Sequence, residues 1–199
     1  MASNDEFRIT LLENGIHSLE RGFESVDRYL RKEEDEFLLK EAILFIHHGI
    51  ELLLKQLLVQ ESRFLIFSDL GSVVRRQREA NQKGVDIFSL EKPPHTISYA
   101  EAIERVDAFL DVPEFTHQLQ RDLRELNQLR NRLEHYAIRT DRVKTIRLLS
   151  KIRAPLIGLF EAQIPDFREQ AGALIDRLEE FEAIAKYILK EASQGGSNG

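Results

Sequence analysis

The chain has 199 residues, a net charge of −6, 42% hydrophobic and 31% charged residues, a composition that suits one ordinary globular domain and excludes a disordered chain. Cysteine is absent, which excludes disulfides, thiolate catalysis and zinc–cysteine centres and fits a reducing, cytoplasmic setting. The longest purely apolar run is Ala42 to Ile46, far short of the roughly 20 residues a bilayer span needs, and the opening MASNDEFRIT lacks the apolar core of a secretory signal.

Helical periodicity dominates from the start. Leu12, Ile16, Leu19, Phe23, Val26 and Leu30 recur every three or four residues, the single apolar stripe of a first helix over about 5–31. The charged run Arg31 to Glu36 reads as a turn. A second helix is expected over 35–61. Phe37, Leu38, Ile43, Phe45, Ile46, Ile50, Leu53, Leu54, Leu57 and Leu58 make it apolar on more than one face, so it should be the central buried helix. Residues 62–97 read as an irregular excursion with one short helix near 69–80; connections this long are often functional or mobile. Ser98 and Glu101 form a capping box that opens a helix through about Phe109. Asp111, Pro113 and Glu114 are expected to open the next, which carries Leu119, Leu123, Leu126, Leu129 or Leu133, and Tyr136. A further helix spans about 141–163, kinked or shortened by Pro155 and stopped by Pro165. The last covers 167–192, ahead of a flexible tail at 193–199. The reading is one all-α domain over 1–192, an antiparallel bundle of five to six helices.

Charge is distributed unevenly. Residues 121–153 contain ten basic and four acidic groups, a net +6, leaving −12 on the rest of the chain. A focused anion site suits this pattern better than general coating of nucleic acid. A solvated helix face with balanced charges suits it as well.

Metal-ligand spacings are sparse. Glu114-x-x-His117 is half of a carboxylate-bridged di-iron pattern, and no second copy exists. His47 with Glu51, and Glu13 with His17, are i,i+4 pairs that serve a metal or an ordinary helix contact equally. No metal or other cofactor is expected. The phenylalanines at helical spacing read as core rather than as base-stacking platforms.

The segment Leu126-Asn-Gln-Leu-Arg-Asn-Arg-Leu-Glu-His-Tyr136 stands apart. Arginine holds a fixed charge suited to phosphate, and histidine shuttles protons near neutral pH. Asn131 and His135 share a face, so the amide can orient the imidazole. Arg130 and His135 lie about 140° apart on an ideal helix and would flank a groove. The alternative pairs Arg130 with Glu134 and makes His135 a buried or capping residue. Two roles are likewise open for Glu51: orienting Arg130 across the bundle, or pairing with Lys55.

Arg130-Asn-Arg-Leu-Glu-His135 resembles the Arg-x(4–6)-His motif of HEPN domains in its Arg-Asn-x-x-x-His form. His48-Gly-Ile-Glu-Leu-Leu-Leu-Lys55 is similar to a second-helix segment of such proteins, and Thr96-Ile-Ser-Tyr-Ala-Glu-Ala-Ile103 to a segment ahead of the motif helix. The resemblance covers roughly residues 5–190. It implies a helical bundle that homodimerises with the motif helices near the two-fold axis. It further implies a metal-independent endoribonuclease leaving a 2′,3′-cyclic phosphate, in a toxin or anti-phage defence setting. Arg130 and His135 would then be catalytic with Asn131 as polar support, Glu51 and Tyr136 would assist, and Arg132 and Arg139 would bind RNA. An antitoxin or defence-system protein is the implied partner. Toxins of this family held by a nucleotidyltransferase antitoxin carry a tyrosine two residues after the histidine, whereas Tyr136 follows His135 directly. Other members bind RNA or a partner protein without cutting.

Overall fold

The computed structural model describes residues 9–33, 35–135 and 140–195. Eight α-helices are found among them: α1 (Leu11–Arg28), α2 (Glu36–Glu61), α3 (Leu70–Lys83), α4 (Tyr99–Phe109), α5 (His117–His135), α6 (Arg142–Gln163), the single turn α7 (Phe167–Gln170) and α8 (Gly172–Gly195). The fold is an all-α bundle. The excursion contributes α3, and the last helical stretch divides at Ala171 into α7 and α8. Helix α8 runs on through Gly195, into the stretch expected to be a tail.

Caps fix most of the helix starts. Thr10 and Glu13 form a capping box at α1, with Glu13 Oε2 accepting from Thr10 N at 2.8 Å and Thr10 Oγ1 accepting from Glu13 N at 3.1 Å. Ser98 and Glu101 repeat the device at α4. Each satisfies two of the backbone groups a helix end leaves unpaired. Helix α5 begins later than its acidic and proline signals suggest. Residues 112–116 form turns closed by Phe115 N to Val112 O at 3.0 Å and Thr116 N to Glu114 O at 2.9 Å. Thr116 then caps the helix through Leu119 N. Pro155 neither ends nor shortens α6. It sits on the exposed side, where water can take the carbonyl that its missing N–H leaves unpaired.

Helix α2 is the hub. It packs along α1 and touches α4 and α5, while α8 covers α1 and α6. Ile43, Ile46, Ile50, Leu53, Leu54 and Leu58 are fully buried. An 18-residue window of α2 has a mean hydropathy of 1.5, enough by composition to cross a bilayer, and 61% of that window is buried inside the bundle. Its apolar surface therefore serves the core. Two of its expected core residues do not: Phe37 is 70% and Phe45 38% exposed. Phe64, Phe88 and Phe109 are exposed too, whereas Phe23, Phe67, Phe115, Phe160, Phe167 and Phe181 are buried. The expectation that the phenylalanines are core holds only for the second group.

Helices α1 and α2 approach closely because glycine sits where they cross. A Cβ on Gly22 would fall 2.5 Å from Ile46 Cγ1 and 2.9 Å from Ile46 N, and one on Gly49 would fall 2.8 Å from the Gly15 carbonyl oxygen. Alanine gains about 1 kcal/mol of helix propensity over glycine. Overpacking against backbone typically costs about 1–3 kcal/mol. Gly49→Ala should therefore be destabilising despite its better propensity, and a urea melt with an unchanged midpoint or a gain in stability would contradict the tight crossing.

The excursion is tied at both ends. Phe67 and Thr96 form an antiparallel bridge, with Ser68 N donating to His95 O at 3.1 Å and Ile97 N to Ile66 O at 2.9 Å. Arg105 Nη1 donates to the Leu65 and Phe67 carbonyls at 2.7 and 2.9 Å. Those contacts hold α4 and the residues just before it against the segment that follows α2.

Candidate functional site

The site is built where α2, α4 and α5 meet. Leu119, Leu123, Leu126 and Leu129 bury the inner face of α5. That leaves Asn127 and Arg130 at its edge, half-buried, and turns Asn131, Arg132 and His135 outward to solvent.

Arg130 does not reach Glu51. Its Nη1 donates to Glu134 Oε2 at 2.6 Å and to Asn131 Oδ1 at 3.0 Å. Glu51 pairs instead with Lys55, at 2.7 Å. Lys55 Nζ also donates to Thr96 Oγ1 at 3.2 Å, so the ammonium is buried yet partnered on two sides. Of the two roles open for Glu51, the pair with Lys55 is the one these contacts contain. Asn131 likewise serves Arg130 rather than holding the His135 imidazole. His135 is exposed, neither buried nor capping through any contact among the described residues. Because α5 is one regular helix, Arg130 and His135 keep the separation of about 140° that their spacing dictates. Tyr136 and Arg139 lie outside the described residues.

Two contributors, Tyr99 and Asn127, escaped the sequence reading, and His47, weighed there as half of an i,i+4 pair, is a packing residue. His47 is buried, stacked on Tyr99 with ring centroids 3.9 Å apart, and its Nε2 lies 2.9 Å from Asn127 Oδ1. The amide oxygen accepts, which puts the ring proton on Nε2. This bond joins α2 to α5 one turn before Arg130. The Tyr99 hydroxyl is buried with no hydrogen-bond partner among the described residues, and burial, reinforced by the Glu51 carboxylate, pushes its pKa well up. Asn127 was legible as a polar residue three positions before Arg130; its partner on another helix was not.

Burial lowers the His47 pKa below its usual 6.5; the Asn127 bond opposes this and the Arg130 charge adds to it. The folded state thus binds a proton at His47 less readily than the unfolded chain. Stability from this group is complete above about pH 6.5 and falls as the pH drops through the interval between the unfolded and folded values. His47→Gln should reduce the difference in urea midpoint between pH 7.5 and pH 5. An identical pH dependence in the variant would remove His47 as its source.

Metal-like spacings are occupied by ordinary bonds. Glu13 is engaged by Thr10, and Glu114 Oε2 accepts from Gln163 at 3.2 Å. Among the described residues no three His, Asp or Glu side chains gather as a ligand set.

Compared with known proteins, the chain matches no family model, no curated protein and no solved structure.

Proposed function

We propose that the chain is a HEPN-type endoribonuclease that cuts RNA without a metal, by attack of the 2′-hydroxyl on its own phosphate. The observation that carries this reading is the pairing, on the last turns of one helix, of a solvent-open His135 with an Arg130 held, among the described residues, by Glu134 and Asn131. The Arg130 and Glu134 side chains are 32% and 33% exposed. Such pairs contribute only about 0–1 kcal/mol, so an RNA phosphate can displace the carboxylate at small cost and take a charge-assisted bond in its place. Arg130 then stabilises charge developing on the phosphate. His135 moves the proton. Asn131 steadies the guanidinium.

The separation of Arg130 and His135 around α5 favours a homodimer in which the two α5 ends supply one cleft. Leu129 is already buried within the chain, so among the described residues beside the motif it is the half-buried Leu133 that a second copy would cover. A strictly monomeric sedimentation profile at micromolar concentration would count against the dimer. A defence or toxin setting, with an antitoxin or other defence-system protein as partner, belongs to the same reading.

The test uses purified protein, a labelled RNA and the same sequence as DNA, both in EDTA. RNA should be cut to a 2′,3′-cyclic phosphate and a 5′-hydroxyl, and DNA should survive. Strict magnesium dependence with 3′-hydroxyl ends would point to another nuclease chemistry. The Arg130–Glu134 pair itself favours a second reading, a non-catalytic module that binds RNA or a partner protein; an intact fold that cuts no RNA would select it.

A further inference from the structure

We infer that the outer face of α5 is a track for the phosphate backbone of single-stranded RNA, leading to His135. This inference rests on the RNA-directed reading above and adds Arg121, Arg124 and Gln128 to it. At 100° per residue, Arg121, Arg124, Gln128, Asn131, Arg132 and His135 fall within about 100° of one another around the helix. All six are exposed. From Arg121 to His135 the strip is about 21 Å long. Arg121, Arg124, Glu125, Gln128, Asn131 and Arg132 line one shallow, solvent-open surface along the helix.

The charges on this face are available. Arg121 donates to the neutral amide oxygen of Gln118 at 2.6 Å. Among the described residues, none of Arg121, Arg124 and Arg132 is ion-paired, unlike Arg130, which Glu134 holds. Three arginines against Glu125 leave this surface cationic on a chain of net charge −6. The amides of Gln128 and Asn131 lie between the arginines, where they can meet sugar hydroxyls and base edges. Arg130 leaves the helix about 100° from Asn131, the nearest residue of the strip, and donates to its Oδ1 at 3.0 Å. Asn131 therefore joins the track to the arginine of the proposed chemistry. A polyanion that follows the strip arrives at His135, which is what a transesterification centre at the end of α5 requires.

The experiment measures binding of a 20-nucleotide 2′-O-methyl RNA, which cannot cyclise, to the full chain across 50–200 mM salt. The variant is Arg121→Gln/Arg124→Gln/Arg132→Gln; all three positions are exposed and glutamine keeps helix propensity, and circular dichroism checks the fold. Each phosphate contact on a single strand contributes about 0.7 to the slope of log affinity against log salt. Loss of three contacts should flatten that slope by about 2, and the wild type should lose about 20-fold more affinity than the variant over this range. Lys144, Arg147 and Lys151 form an exposed row on α6, also without ion pairs among the described residues, and Lys144→Gln/Arg147→Gln/Lys151→Gln is the charge-matched control. That control should leave the slope near the wild-type value. Equal losses in the two triple variants would reduce the effect to overall charge and overturn the track. So would an unchanged slope in the α5 variant, or a change in its sedimented mass, which would make the face a contact between copies. Cleavage of unmodified RNA is scored separately. Cutting with an unchanged slope overturns the track alone; a flattened slope without cutting keeps the track and overturns the ribonuclease.

Discussion

Replacing His135 by alanine should lower the rate of RNA cleavage by about 10²–10⁴-fold, the usual contribution of a positioned acid–base group, while the helical circular dichroism stays as in the wild type. His135 is exposed at the end of α5, so its removal opens no cavity and the loss can be read as chemistry. Arg130→Ala should lose comparably, for a different reason. It removes the fixed charge set against the phosphate and leaves Glu134 unpaired at the same place, which repels the substrate. Glu134→Gln separates the two effects: it frees Arg130 from its carboxylate and should bind RNA more tightly than the wild type. If Glu134→Gln weakens RNA binding, Arg130 is a structural partner of Glu134 and not a phosphate ligand. If His135→Ala cuts at the wild-type rate, the proton is moved elsewhere.

The second large effect concerns stability. Leu53 is completely buried in α2, against the glycine crossing: its side-chain Cγ lies 2.7 Å from where a Cβ on Gly15 would stand. Leu53→Ala removes those contacts and leaves a cavity between two helices whose backbones already touch, so the site cannot collapse further. Buried leucine truncations cost about 2–5 kcal/mol, which for a chain of this size is roughly 4–20 °C in Tm. His135→Ala should stay within about 0.5 kcal/mol, as exposed substitutions do. A thermal melt of both variants tests the core and the site together. Equal destabilisation would make His135 a packing residue and end its catalytic role. A small loss at Leu53 would mean that α1 and α2 can close on the gap.

The sequence by itself determined the helical class, the central place of α2 and several helix starts. These follow from local rules. Apolar residues three and four apart share a face, a helix apolar on several faces must be surrounded, and Ser98 with Glu101 satisfies helix-start N–H groups within one turn of chain. The angular separation of Arg130 and His135 was legible for the same reason, since it depends only on helix pitch. Long-range matters were not. The sequence holds no sign of why glycine stands at positions 15, 22 and 49; the crossing of α1 and α2 shows that a side chain there cannot fit. Phe37 and Phe45 obey the apolar pattern of α2 and are still exposed, because periodicity gives a residue's direction from its own axis and not whether another helix lies that way. Asn127 bonded to His47, and Glu51 bonded to Lys55 rather than to Arg130, are choices among several partners of suitable chemistry. Tertiary structure alone decided them, because a hydrogen bond selects its partner over a few tenths of an ångström, a distance set by how whole helices pack.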